Sequence, residues 1–142
     1  MKYLLDTDHI SFLQEQRGPE YTALSTRMAQ HSPGDFAFSI VSFHEQMLGG
    51  HAFLNHARTA AQVIYGYSVL MRILRMYLTT QVLPFDAAAA AIFDGLQAQR
   101  IRVGTMDLRI AATALSRGLV VLTRNTRDFG RVPGLVTEDW TV

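Results

Sequence analysis

Apolar residues follow two different patterns along the chain, and the two patterns alternate. Short, mostly apolar runs are typical of strands buried on both faces. They occupy residues 3–5, 119–122 and 36–41, the last interrupted only by Ser39. Apolar residues that recur every three or four positions are typical of helices, and they occur in residues 20–31, 52–81, 87–100 and 105–117. Strands that alternate with helices predict an α/β domain with a mostly parallel sheet of about four or five strands.

Polar residues and glycines at the ends of these stretches predict where the helices begin and end. Ser42 and Glu45 have the spacing of a capping box, so a helix is expected to begin just after the second strand. The Gly49–Gly50 pair is expected to end that helix or at least to weaken it. Asp86 is expected to cap the alanine-rich helix at residues 87–100, and Gly118 is expected to end the helix after it.

A broad apolar stripe marks residues 52–81, which are expected to form one or two long helices. The stripe contains Val63, Tyr67, Leu70, Leu74 and Tyr77. Arg72 and Arg75 in the same stretch rule against a membrane span. We expect most of this apolar surface to face the core, although a dimer contact or a partner surface would produce the same pattern.

The composition fits one folded domain, residues 1–142, because apolar residues make up 49% of the chain and suffice for a core. Cysteine is absent, so the chain has neither a disulfide framework nor a thiolate metal site. Asp6 and Asp8 interrupt the apolar start, unlike a signal peptide, and a cytoplasmic location is expected. Twelve of the thirteen basic residues are arginines, which suits phosphate binding but is equally explained by a GC-rich genome.

Four acidic residues stand at or near the ends of predicted strands. Asp6 ends the first strand, Glu45 lies one helical turn past the second, Asp107 opens the helix before the third, and Asp128 follows the third. The carboxyl ends of parallel strands share one edge of a sheet, which is where ligands bind in such folds. Converging carboxylates suit Mg²⁺ or Mn²⁺, and such an ion can activate water and stabilise a phosphodiester's attacking and leaving oxygens.

Each of these acids also has a purely structural interpretation. Glu45 can complete the capping box with Ser42, Asp107 can favour the positive end of its helix, and Asp128 can serve as a turn or cap residue. Asp6 is the hardest to explain structurally, because an acid directly after a buried strand gains nothing obvious. The joint placement of the four acids at one predicted edge favours the metal site.

Four ordered motifs stand out along the chain, at residues 3–8 (YLLDTD), 42–49 (SFHEQMLG), 107–114 (DLRIAATA) and 122–129 (LTRNTRDF). In these motifs the chain resembles PIN-domain ribonucleases, and specifically the VapC-type toxins of bacterial toxin–antitoxin pairs. The resemblance covers nearly the whole chain. The tail, with residues 132–135 (VPGL) and 138–140 (EDW), also resembles the family's ending.

The resemblance implies a PIN-like α/β/α sandwich with a peripheral helical arm. It also implies an endoribonuclease dependent on Mg²⁺ or Mn²⁺, with Asp6, Glu45, Asp107 and Asp128 as its catalytic and metal-binding acids. A metal-activated water would hydrolyse the RNA phosphodiester and leave 5′-phosphate and 3′-hydroxyl ends. The family further implies a homodimer that a small antitoxin neutralises, and residues 63–78 are the expected antitoxin surface.

Two positions depart from the family's usual pattern. The family often has asparagine where this chain has Asp8, and it often reads Thr-Asn-Asn where this chain has Thr-Arg-Asn at residues 123–125. Asp8 and Asn125 are expected to support the metal ligands from outside, unless Asp8 tightens metal binding directly. Arg109, Arg124 and Arg127 are candidates for RNA phosphate contacts, although they could instead pair with the acids or with an antitoxin.

Other functions explain the acids less well. The Asp-Thr-Asp sequence at residues 6–8 also resembles the start of haloacid-dehalogenase phosphatases and the acids of receiver domains, but both use a lysine late in the chain. Lys2 is the only lysine here. The five histidines lack paired ligand spacing for a zinc hydrolase. The remaining alternative is a catalytically inactive PIN scaffold that binds RNA or a protein, which the presence of all four acids disfavours.

Overall fold

The centre of the fold is a five-stranded sheet with the order β3-β2-β1-β4-β5, seen in a computed structural model that describes residues 1–142. The strands are β1 (Tyr3–Leu5), β2 (Phe36–Ser39), β3 (Val82–Leu83), β4 (Val120–Leu122) and β5 (Thr137–Glu138). Every pair of neighbouring strands is parallel. The predicted α/β fold with a parallel sheet is therefore confirmed.

Seven helices surround the sheet. They are α1 (Thr7–Glu15), α2 (Pro19–Met28), α3 (Ile40–His56), α4 (Ala60–Leu78), α5 (Ala87–Ala98), α6 (Thr105–Arg117) and α7 (Thr126–Phe129). Asp86 caps α5 as predicted, because its side chain accepts a hydrogen bond from the backbone N–H of Ala89. Gly118 ends α6 as predicted, with a φ of 65° in the left-handed region that glycine tolerates best.

Alternate residues of the central strands face two separate hydrophobic cores, because side chains along a strand point to opposite faces. Leu4, together with Ala37 and Val121 of the adjacent strands, faces a core that α5 and α6 complete. Leu5 and Leu122 face a second core, which also contains residues of α1, α2 and α4. Helices thus cover both faces of the sheet, as its largely apolar strands require.

The boundary between β2 and α3 differs from the prediction. The strand ends at Ser39, whose side chain caps α3 by accepting a hydrogen bond from the backbone N–H of Val41. The predicted capping box is wrong, since Ser42 lies inside the helix and its buried hydroxyl has no hydrogen-bond partner. The strand therefore passes directly into the helix without a loop.

The Gly49–Gly50 pair does not end α3, which continues to His56. Gly50 instead lies against Leu70 of α4, and Gly66 of α4 lies against Leu54 of α3, so closely that a Cβ atom at either glycine would overlap its neighbour. Two glycines that weaken a helix locally therefore allow α3 and α4 to pack closely together.

The apolar stripe of the helical arm is divided between the core and the surface. Ile73 and Tyr77 of α4 are buried. A second set of apolar residues on α4, here called the exposed face of α4, comprises Ile64, Tyr67, Met71, Leu74 and Leu78, with Ile64 and Leu78 70% and 75% exposed. The preference for a core location is wrong for this face. None of the helices combines the length and the hydropathy of a membrane span.

Candidate metal centre

Asp6 occupies the junction between the central strand and the first helix. It follows β1 directly and caps α1, because its Oδ1 accepts a hydrogen bond from the backbone N–H of Thr7 at 2.8 Å. Its Oδ2 accepts a second bond from the Thr123 hydroxyl, also at 2.8 Å. The side chain is only 6% exposed. Asp6 therefore has a structural role as a helix cap, which the sequence did not reveal.

Glu45 and Asp107 reach the same edge of the sheet from two other helices. Glu45 lies on α3, which starts where β2 ends, and its Oε1 accepts a hydrogen bond from the Thr7 hydroxyl at 2.9 Å. Asp107 lies in the first turn of α6. Asp6, Glu45 and Asp107 each present an oxygen atom, and these atoms lie within 4.8 Å of one another. We call this group the acidic cluster.

Burial and like charges raise the pKa values of two members of the acidic cluster. Burial, followed by the charge of Asp8, raises the pKa of Asp6 to about 7. Burial, followed by the charges of Glu45, Asp128 and Asp8, raises the pKa of Asp107 to about 6. None of the three acids forms an ion pair with a basic side chain of the chain. The protein thus leaves the negative charge of the cluster uncompensated.

Asp128 stands beside the acidic cluster but outside it. Its charge is near enough to raise the pKa of Asp107, yet its Oδ2 accepts a hydrogen bond from the Asn125 amide at 3.1 Å. Its Oδ1 lies 3.5 Å from a guanidinium nitrogen of Arg131. Asn125 also caps the short helix α7 that carries Asp128. The structure therefore brings three of the four predicted acids together and leaves the fourth at the margin.

Asp8 lies near the cluster, but both of its oxygens already accept hydrogen bonds. Oδ1 accepts from His9 Nδ1 at 2.7 Å, and Oδ2 accepts from the backbone N–H of Arg124 at 2.9 Å. The Thr123 hydroxyl lies 3.4 Å from the same Oδ2. Asp8 thus connects the start of α1 to the segment that follows β4.

The three candidate arginines have different surroundings, and none of them forms an ion pair. The guanidinium of Arg109 lies 5.5 Å from the centre of the Phe93 ring, and that of Arg124 lies 5.5 Å from the centre of the Phe12 ring. Arg127 is exposed on α7. Their positive charges therefore remain available to an anionic ligand.

Two hydroxyl groups hold the acidic cluster in place and were not anticipated from the sequence. Thr7 donates to Glu45, and Thr123 donates to Asp6. The available signal was their position, because Thr7 directly follows Asp6 and Thr123 directly follows β4. A hydroxyl at the end of a strand can reach a side chain at the end of the neighbouring strand.

The donor chemistry of the acidic cluster fits a hard divalent cation. Carboxylate oxygens are the ligands that Mg²⁺ and Mn²⁺ prefer, and a cation would offset both the burial and the repulsion that raise the two pKa values. Neither cysteine nor histidine belongs to the group, so zinc, which favours nitrogen and sulfur ligands, fits less well.

Similar proteins were found by sequence and by structure, although no family model matches the chain. The chain is 34% identical to the tRNA(fMet)-specific endonuclease VapC of Shigella flexneri, over 99% of both chains. It is 29% identical to ribonuclease VapC1 of Haemophilus influenzae, again over 99% of both chains. The fold matches the DNA-bound VapBC structure from Salmonella typhimurium with a TM-score of 0.78 and 28% identity, over 99% of this chain and 98% of that one.

Proposed function

The chain belongs to the VapC family of toxin endoribonucleases, and from that premise we propose that it hydrolyses RNA with a divalent cation held by its acidic cluster. The observation that carries the proposal is the approach of three carboxylate oxygens to within 4.8 Å of one another. Asp6, Glu45 and Asp107 would hold Mg²⁺ or Mn²⁺. Asp128 would join them directly or through water.

A divalent ion, when bound, makes water a stronger nucleophile and offsets the charge that develops on a phosphate under attack. The protein's own contribution is to hold the acids still. The Thr7 and Thr123 hydroxyls each fix one oxygen of Glu45 and Asp6. The backbone N–H of Thr7 fixes the other oxygen of Asp6. Ligands fixed in this way bind an ion with little further loss of side-chain entropy.

RNA would approach the cluster past arginines whose charges are free. Arg124 and Arg127 lie on the segment after β4 that also carries Asp128, and Arg109 lies two residues after Asp107. These guanidinium groups would bind phosphates on either side of the bond that is cut. Water, rather than the ribose 2′-hydroxyl, would attack phosphorus, so the products would carry 5′-phosphate and 3′-hydroxyl ends. Products that end in 2′,3′-cyclic phosphate would contradict this mechanism.

We propose that the partner is an antitoxin, a proposal supported by the VapBC complex from Salmonella typhimurium, which shares this fold. We propose that the exposed face of α4 binds it and that the toxin itself is a homodimer. Tyr67→Ser and Met71→Ser should each weaken antitoxin binding by roughly tenfold if these side chains are buried in the complex. Val136→Ser is a matched control, because Val136 is an exposed apolar residue elsewhere on the surface. Unchanged affinity in both α4 variants would exclude this surface.

The first experiment is a calorimetric titration of the purified, antitoxin-free protein with Mn²⁺, because it requires no knowledge of the RNA target. Saturable binding in the wild type that Asp107→Asn abolishes is the expected result. Asp94→Asn is the control, since Asp94 is an exposed residue of α5 that forms no hydrogen bond or ion pair through its side chain. Cleavage of RNA should require the same ion and should fall steeply in the same variant.

Two other outcomes would change the conclusion. Cleavage of RNA by Asp107→Asn at the wild-type rate would show that the acidic cluster is not the active site. A folded wild type that neither binds Mn²⁺ nor cleaves RNA with Mn²⁺ present would favour a catalytically inactive scaffold.

A further inference from the structure

His9 is a fully buried side chain that joins two distant parts of the chain. Its exposed fraction is 0%. Its Nδ1 lies 2.7 Å from Asp8 Oδ1, and its Nε2 lies 3.2 Å from the backbone nitrogen of Trp140, which donates to it. The bond to Trp140 joins residues 131 positions apart in sequence. His9 therefore links the start of α1 to the C-terminal tail.

The contact with Trp140 decides which nitrogen of His9 carries the proton. A backbone N–H can only donate, so Nε2 must accept and carries no proton. The proton of the neutral ring is then on Nδ1, which donates it to Asp8 Oδ1. His9 is thereby fixed in a single tautomer by an atom of the backbone, which no side-chain rotation can alter.

Asp8 consequently faces a donor at each of its two oxygens. His9 Nδ1–H points at Oδ1, and the backbone N–H of Arg124 points at Oδ2. Neither donor can become an acceptor in this arrangement. An asparagine at this position would turn its NH₂ group toward one of the two donors in either orientation of the amide. The two donors, the His9 ring N–H and the Arg124 backbone N–H, thus require a carboxylate at position 8.

Asp8 in turn fixes the segment that supports the acidic cluster. Thr123, which lies near Asp8 Oδ2, donates its hydroxyl proton to Asp6 and accepts a hydrogen bond from the backbone N–H of Asn125. Asn125 holds Asp128 through its side-chain amide. The hydrogen bonds therefore run without a break from Trp140 through His9 and Asp8 to the segment that carries these residues.

We propose that Asp8 is a positioning residue that holds the Thr123–Asn125 segment against the acidic cluster, and that His9, fixed by Trp140, makes a carboxylate obligatory at position 8. This assignment accounts for both of the hydrogen bonds that Asp8 accepts. Its catalytic consequence rests on the proposed function, whereas the chain of hydrogen bonds does not.

The tautomer of His9 can be measured directly by ¹⁵N NMR of the metal-free wild type. We expect a protonated Nδ1 and an unprotonated Nε2. The alternative is a protonated Nε2 directed at Asp139, whose Oδ1 lies 3.7 Å away. Detection of a proton on Nε2 would overturn the proposal, since Asp8 would then no longer be bound to a ring locked by Trp140.

A double-mutant cycle between positions 8 and 9 tests whether the histidine imposes the carboxylate. In the wild-type background, Asp8→Asn places two donors face to face. In a His9→Leu background that conflict is absent, and water can reach the amide because the Asp8 side chain is 30% exposed. The loss of Tm caused by Asp8→Asn should therefore be larger in the wild-type background by about 3–8 °C.

The cycle cancels effects that the two backgrounds share. Removing the Asp8 charge relieves repulsion on Asp6 equally in both, and the Trp140 N–H loses its partner in both His9→Leu proteins. Asp94→Asn should shift Tm equally in the two backgrounds. Equal effects of Asp8→Asn in both backgrounds would refute the coupling. If His9→Leu does not fold, the NMR measurement decides the matter alone.

Steady-state RNA cleavage, measured at saturating Mn²⁺ and well below Tm, distinguishes an effect of Asp8 on catalysis from its effect on stability. Asp8→Asn should lower kcat by roughly tenfold, because small displacements of reacting groups are costly, and should leave the KM for RNA within about twofold. An unchanged kcat would reduce Asp8 to a structural residue and overturn the positioning role. If the wild type cleaves no RNA, the proposed function fails. The ¹⁵N NMR measurement and the double-mutant cycle would still test whether the hydrogen bonds from Trp140 to Asp8 exist as described.

Discussion

The two ends of the central strand β1 lie in regions of opposite character. At its amino end, Tyr3 belongs to an aromatic cluster with His31, Phe36 and Trp140, in which all six pairs of ring centres lie 4.7–5.9 Å apart. Such contacts each stabilise a fold slightly beyond the area they bury. Just past the carboxyl end, Asp6 belongs to the acidic cluster, where buried like charges raise pKa values to about 7 and about 6.

Only Leu4 and Leu5 thus separate a region that stabilises the protein from one that destabilises it. The aromatic side chains pack against one another, whereas the three acids form no ion pair with a basic side chain of the protein. Local contacts that conflict with stability are expected at functional sites. The comparison predicts that substitutions at the two ends of β1 have opposite effects on stability and on activity.

Trp140→Ala should give the largest effect on stability. Trp140 is 2% exposed and contacts three other rings, so its loss should lower the free energy of unfolding by about 3–5 kcal/mol. Chemical denaturation measures this change. Tyr67→Ala is the matched control, because Tyr67 is an aromatic residue that is 59% exposed.

The folded fraction of Trp140→Ala should keep its Mn²⁺ affinity, because the hydrogen bond that His9 accepts comes from the backbone N–H of residue 140, which alanine retains. A loss of stability below about 1 kcal/mol, which is small for a buried aromatic residue, would refute the assigned role of the aromatic cluster.

Asp107→Asn should have the largest effect on activity, and Asp128→Asn a smaller one. Several kcal/mol of transition-state stabilisation depend on a bound ion, so removing one of its ligands should lower kcat by roughly a hundred- to a thousandfold. Asp128 lies outside the 4.8 Å group, and we expect about a tenfold loss for its variant if it acts through water. Steady-state cleavage assays rank the two. Equal losses would make Asp128 a full member of the cluster.

The acidic cluster should make the metal-free protein less stable as the pH rises. A carboxyl group whose pKa is higher in the folded state keeps its proton while the unfolded chain releases it, so unfolding releases protons between the unfolded value of 3.8 and the folded value of about 7. The free energy of unfolding therefore falls as the pH increases through this window. We expect Asp6 alone to account for a loss of roughly 2–3 kcal/mol between pH 5 and pH 8. Asp107, whose folded pKa is about 6, should add to this loss.

Asp6→Asn isolates the contribution of one group to this loss. The variant should be less sensitive to pH than the wild type and more stable at pH 8 by about 1–3 kcal/mol, after the altered helix cap is taken into account. Mn²⁺ should raise the Tm of the wild type and not that of the variant. A variant that loses stability with pH as steeply as the wild type would show that Asp6 does not carry the buried charge.

The general architecture was predictable because burial and strand direction leave direct traces in the sequence. The runs at β1, β2 and β4 are apolar because these strands are covered on both faces. Asp6, Glu45 and Asp107 converge because each lies near a strand end or a helix start at one edge of the sheet. The acidic cluster itself was therefore foreseeable from the order of its elements.

The remaining features depend on contacts that local sequence does not record. Ser39 and Ser42 are equally good helix caps by residue type. Ser39 is the cap because the pairing of β2 with β3 ends at this residue. Gly50 remains helical because α4 packs against it, which overrides its local tendency. The link between His9 and Trp140 spans 131 positions, and no periodicity indicates it.

The smallest predicted effect concerns Arg27, which lies at the edge of the aromatic cluster. Its guanidinium lies 4.6 Å from the centre of the Trp140 ring and 3.7 Å from Glu138, with both charged side chains more than 40% exposed. Exposed cation–π contacts and ion pairs contribute little, so Arg27→Gln should cost only about 0.5–1 kcal/mol.

The same substitution tests whether ring packing dominates this end of β1. In a Trp140→Ala background, the cost of Arg27→Gln should shrink to the parts that come from the Glu138 ion pair and from the hydrogen bond to the Asp139 carbonyl. Of these, 1 M salt should remove the ion-pair part. Arg58→Gln is the control, because the Arg58 side chain is exposed and forms no ion pair. A cost above about 2 kcal/mol would exceed any exposed contact of this kind. The amino end of β1 would then depend on charge as the carboxyl end does, and the contrast between the two regions would no longer hold.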